Sequence, residues 1–87
     1  MKQQQNYLNN PLALFVGDLS FFCIEENLYD LFSGCGRVVN VEIKRGKATG
    51  DSLMHGFVEM DSDQALDSAI NTLNGQKFMG RKIRYLL

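Results

Sequence analysis

Hydrophobic and polar positions alternate most plainly in the stretch SLMHGFVEM, Ser52 to Met60. A strand sends successive side chains to opposite faces, so from Leu53 onward this one puts Leu53, His55 and Phe57 on the side away from the core. Soluble strands usually show water something more polar, and that face therefore predicts a surface used for binding. The run LALFVGDL predicts a buried strand over about 13–18. VVNVEIK predicts another, with Val41 and Ile43 inward and Glu42 and Lys44 outward. RKIRYLL predicts the last, with Ile83 and Tyr85 inward and Lys82 and Arg84 outward.

Two segments carry helical spacing instead. EENLYDLFSGCG places Leu28, Leu31 and Phe32 on one stripe, with Glu25 and Glu26 in a first turn whose dipole favours acids. Gly34 and Gly36 supply stop signals, and Ile24 occupies the N-cap position without a capping side chain. DSDQALDSAINTLNG is the cleanest element. Asp61 or Ser62 caps it, Ala65, Ala69, Ile70 and Leu73 form its apolar stripe, and Asn74-Gly75 ends it. RGKATGDS between the second and third strands reads as a flexible, partly basic turn.

The order is strand-helix-strand-strand-helix-strand. It predicts an α+β fold of the ferredoxin-like split βαβ kind, a four-stranded antiparallel sheet with both helices on one face. The other face is then left open, and the outward residues of every strand lie on it.

Composition narrows the picture. Eighty-seven residues at 45% apolar and 22% charged suit one globular domain, taken as residues 11–87 behind a polar, Gln- and Asn-rich arm at 1–10 expected to be disordered. The opening segment has no apolar run of signal-peptide type, which predicts an intracellular protein, nuclear or cytoplasmic. Cys23 and Cys35 fall near opposite ends of the first helix, too far apart to bridge, and are expected as free thiols with Cys23 in the core. No zinc-like spacing accompanies them, and no metal or cofactor is expected.

Net charge is −1, but its distribution is uneven. Glu25, Glu26, Asp30, Asp61, Asp63 and Asp67 fall in the predicted helices, whereas the bases gather in Lys44–Lys47 and Lys77–Arg84. With the first and third strands adjacent at the sheet centre, Phe15, His55 and Phe57 cluster on the open face, flanked by Lys44, Lys82 and Arg84. Arg45 and Lys47 add a mobile basic loop. Flat rings among cations suit single-stranded nucleic acid, because unstacked bases pack on rings while cations meet phosphates. A duplex would hide its bases.

These residues resemble the RNA recognition motif family over essentially residues 12–87. The family's aliphatic-aromatic-aliphatic-x-Asn-Leu hexamer is similar to LFVGDL, Leu14 to Leu19. Its basic-Gly-aromatic-small-aromatic-Val-x-aromatic octamer is similar to LMHGFVEM, Leu53 to Met60. TGDS matches the loop before the octamer, and ALDSAINTLNGQKFMGRKIRYLL matches the second helix and last strand. The resemblance implies stacking at Phe15 and His55, a base or ribose contact at Phe57, and a single-stranded RNA partner for a monomeric module. It also exposes departures. Leu53 and Asp51 replace family cations, Met54 replaces a glycine, Met60 an aromatic and Asp18 an asparagine. Losing two phosphate contacts should weaken binding and flatten its salt dependence by about 0.7 per contact.

Two other classes compete. The same apolar face, with Leu53, Met54, His55, Phe57 and Phe15, would suit a protein partner instead of RNA. An enzyme would need a nucleophile, a base and an orienting acid in one constellation, or a Gly-Lys-Ser/Thr phosphate loop, and the chain offers neither.

Overall fold

A computed structural model describes residues 10–86, with side chains through Arg84. The expected arm at 1–10 thus lies almost wholly outside the described residues, as does the orientation of Tyr85. The elements are β1 (Ala13–Gly17), α1 (Glu25–Ser33), β2 (Val38–Arg45), β3 (Ser52–Met60), α2 (Asp63–Leu73), β4 (Lys77–Phe78), β5 (Arg81–Lys82) and β6 (Arg84–Leu86). Four strands form one sheet in the order β2-β3-β1-β6, with β3 and β1 central and every pairing antiparallel.

Alternation along the central strands decides which side becomes core. Leu14 and Val16 of β1 and Gly56, Val58 and Met60 of β3 are buried, while Phe15 and Phe57, alternating with them, are only half-buried. The buried side chains pack with Leu28 and Phe32 of α1 and with Ala65, Leu66, Ala69 and Leu73 of α2 in one cluster. Both helices therefore cover the same sheet face. Leu66 joins the expected stripe of α2, and Ile70 packs half-buried at its margin.

Helix starts follow local chemistry. Ser62 caps α2, its hydroxyl accepting from the Ala65 N–H at 3.1 Å, so Asp61 stays outside the helix. Ile24 has no acceptor to offer α1, but Asn27 Oδ1 reaches back to the Ile24 N–H at 2.9 Å, half of a capping box. Cys23 is buried beside this start, and Cys35 is half-buried at the far end; both are free thiols. Burial, then the Glu25 charge, raise the Cys23 pKa against the opposing pull of Arg45, which keeps the thiol protonated and unreactive.

The C-terminal region departs from expectation. Lys82 is not on a strand flanking the main sheet; β4 and β5 form a separate hairpin in which Lys77 pairs with Lys82 and Phe78 with Arg81. Met79 and Gly80, at φ 52° and 86°, make the two-residue turn whose twist suits such hairpins. Only then does the chain enter the main sheet, where Gly17 pairs with Arg84 and Val16 with Tyr85. β1 likewise stops at Gly17, because Asp18 turns into the left-handed region at φ 57°.

Candidate nucleic-acid interface

The β1–β3 register places Phe15 directly opposite Phe57. Their rings meet edge to face, centroids 5.5 Å apart at 73°, and Phe15 stacks on His55 at 5.2 Å and 30°. The three expected aromatics therefore form one continuous patch, half-buried against one another and excluded from the core. Glycine shapes the patch at two points. A side chain at Gly17 would press on the Phe15 ring at 3.3 Å, and one at Gly56 would collide with the Glu42 carbonyl oxygen across the β2–β3 ladder.

The alternation of β3 is interrupted beside this patch. Ile43 pairs with Gly56, but Arg45 pairs with Ser52, so two steps on β2 span four on β3. Met54 sits in the bulge at φ 65°, at the position where the family resemblance expects glycine. Its N–H donates to Ser52 Oγ at 2.9 Å and its carbonyl accepts from the Leu19 N–H at 3.0 Å, which ties the bulge to the end of β1. Leu53, read from the sequence as facing outward and as replacing a cation of the family octamer, is 51% exposed.

The cations are placed less freely than their sequence suggests. Lys44 Nζ lies 5.8 Å from the Phe57 ring centroid and 3.2 Å from Glu42 Oε2. Arg45 does not belong to a mobile loop: it is the last residue of β2, and its Nη2 lies 3.3 Å from Glu25 Oε1 at the start of α1. Glu25 also accepts the Ile43 N–H at 3.1 Å, closing a donor on the free edge of β2. Burial alone would push the Glu25 carboxyl up, but the Ile43 and Glu25 backbone N–H groups and the Arg45 guanidinium together hold it below the usual range. Lys47 is exposed in a loop closed by its own hydrogen bonds, Gly46 N–H to Asp51 O and Gly50 N–H to Gly46 O, each 2.8 Å. Lys82 is exposed on the small hairpin.

Arg84 reaches the open face from β6, and its Nε lies 2.9 Å from Asp18 Oδ2 in an ion pair. Arg81, which the sequence reading passed over, donates from Nε to the Asp18 carbonyl at 3.2 Å and brings Nη2 to 3.8 Å from Asp18 Oδ1. The Asp18 departure thus gathers two arginines at one end of the ring patch. Between the rings and these charges lies an open recess of about 430 Å³. Phe21 and Phe22, also unremarked in the sequence reading, stand exposed after β1 as an edge-to-face pair 5.4 Å apart. Among the described residues no group of three or more His, Cys, Asp or Glu side chains could hold a metal ion.

A split sheet with helices on one side and a ring patch with flanking charges on the other defines a binding module built on its open face. Comparison with known proteins gives the family. The model described as RNA recognition motif matches residues 14–84, and the chain belongs to that family. It is 37% identical to the putative RNA-binding protein RbpE of Nostoc sp. over 84% of this chain and 74% of that protein. It is 38% identical to the chloroplastic 29 kDa ribonucleoprotein of Arabidopsis thaliana over 93% of this chain, but spans only 24% of that longer protein. Among solved structures, the Rna15 recognition motif with bound RNA (GU) superposes with a TM-score of 0.76 at 27% identity, covering 85% of this chain and 79% of that one.

Proposed function

We propose that this protein binds single-stranded RNA across its open sheet face, without a catalytic step. The observation that carries the reading is the Phe15–His55–Phe57 patch, three flat rings in contact on the uncovered side of the sheet. Phe15 and His55 offer faces for unstacked bases, and Phe57 meets a base or a ribose. Lys44 and Arg84 sit at the margins of the patch, where backbone phosphates would pass. Lys47 and Lys82 add exposed charge further out, and Arg45 contributes least because Glu25 holds it at the helix side. Two to four nucleotides fit such a surface, in keeping with two or three stacked bases per sheet in the family. Relatives named as an RNA-binding protein and a ribonucleoprotein support the same reading.

A salt titration tests it. RNA affinity should fall as salt rises, with a log–log slope of about 0.7 per neutralised phosphate, and replacing Phe15 and Phe57 together by Ala should abolish binding. Failure to bind any short single strand at low salt, with the double variant indistinguishable from wild type, would overturn it.

A further inference from the structure

We infer that Asp18, held between Arg84 and Arg81, makes the recess beside Phe15 a guanine-selective base site. The inference rests on the RNA-binding reading above and assigns the base chemistry of one part of that surface. Phe15 and His55 form the stacked wall of the recess, and Asp18, Arg81 and Arg84 rim it. A base lying on the rings turns its edge toward those charged groups.

What that edge must carry follows from the rim. An ionised carboxylate only accepts hydrogen bonds, and a guanidinium only donates them. Asp18 Oδ2 is engaged by Arg84 Nε at 2.9 Å, but Oδ1 lies 3.8 Å from the nearest Arg81 nitrogen, beyond hydrogen-bond length, and keeps its accepting capacity. Arg84 is three-quarters exposed, and it is its Nε that pairs with Asp18 Oδ2. The rim therefore presents an acceptor beside donors.

Guanine answers that pattern, with the N1–H and N2 amino donors adjacent to each other and the O6 acceptor alongside. Uracil has one imino donor between two acceptors, and adenine and cytosine each offer one amino group beside acceptors. A carboxylate facing those edges meets at least one lone pair and leaves polar groups unpaired, which is how buried or stacked sites reject the wrong base. The backbone supports the rigidity this needs. Asp18 is fixed in the left-handed region at φ 57°, and its carbonyl is held by Arg81 Nε at 3.2 Å. Asp18 also draws two positive charges away from phosphates, so selectivity here is obtained at the cost of general affinity.

The test compares four fluorescently labelled heptamers, uridine throughout except for G, A, C or U at the centre, by anisotropy at two salt concentrations. The proteins are wild type, Asp18→Asn and Asp18→Gly, both replacements being compatible with the Asp18 backbone angle. The wild type should bind the G heptamer roughly ten-fold more tightly than the others, the scale of one good bidentate base contact. Both variants should lose most of that preference while binding the A, C and U heptamers more tightly, with a steeper salt slope, as the arginines become available to phosphates. Equal binding of all four by the wild type overturns the inference. So does uniform tightening of all four by the variants with the G preference kept, since Asp18 then acts only as a neutralising charge. Absence of binding to every heptamer by the folded wild type overturns the RNA-binding reading itself.

Discussion

Leu14 and Phe15 are neighbours on β1 with opposite fates, and replacing each in turn separates folding from binding. Leu14 is 1% exposed, inside the core cluster. Leu14→Ala should cost about 2–5 kcal/mol of stability, the range for truncating a buried Leu. Phe15 is on the open face and touches Phe57 and His55 through its ring. Phe15→Leu keeps an apolar side chain over Gly17 but removes both ring contacts, each worth about 0.5–1.5 kcal/mol. That loss is small beside the roughly 5–15 kcal/mol by which domains exceed their unfolded states, so the variant should stay folded. Binding should fall measurably while the fold holds, because losing one stacked base costs about 1–3 kcal/mol, or roughly five- to more than a hundred-fold in Kd. Thermal unfolding and anisotropy with a short labelled single strand read the two effects separately. Wild-type affinity in Phe15→Leu would refute the stacking argument, and a loss of stability above the roughly 3 kcal/mol that two ring contacts can supply would refute the assignment of faces.

Three further predictions draw on other parts of the structure. Leu53→Lys restores a cation to an exposed position beside the rings and should tighten RNA binding while steepening its salt slope by about 0.7; an unchanged slope would mean that no phosphate passes there. Gly56→Ala places a methyl group against the Glu42 carbonyl and should destabilise the domain by about 1–3 kcal/mol, measured by denaturant titration, with neutral behaviour counting against the observed strand spacing. Glu25→Gln removes a carboxylate whose folded pKa is depressed. The wild type's advantage should be full above the ordinary unfolded value and vanish as pH falls through the lower folded one. A gap between the two proteins that widens on acidification contradicts this.

The parts legible in the sequence are those set by short-range periodicity. Alternation in SLMHGFVEM and LALFVGDL located the central strands and the open face, and Ala65, Ala69 and Leu73 marked the buried side of α2. The Phe15–Phe57 pair followed once the first and third strands were set side by side at the centre, the order usual for a split arrangement. The small hairpin did not follow, because Met79 occupies a positive-φ turn position that Asn or Asp normally advertises. Moving Lys82 onto that hairpin altered its expected place. Charge partners were equally hidden. Glu25 reads as a first-turn acid, yet it holds Arg45 twenty residues on, and Asp18 meets Arg81 and Arg84 only because β1 and β6 become neighbours. Such contacts depend on tertiary register, which local patterns do not carry.

The most direct measurement is a backbone amide NMR titration of the whole chain with short single-stranded RNA. If bases stack on the uncovered side, the largest shifts will fall on Phe15, His55, Phe57 and their strand neighbours, with Asp18 and Arg84 at one margin. Shifts concentrated instead on α1 and α2, with the β1 and β3 amides unmoved, would contradict the account.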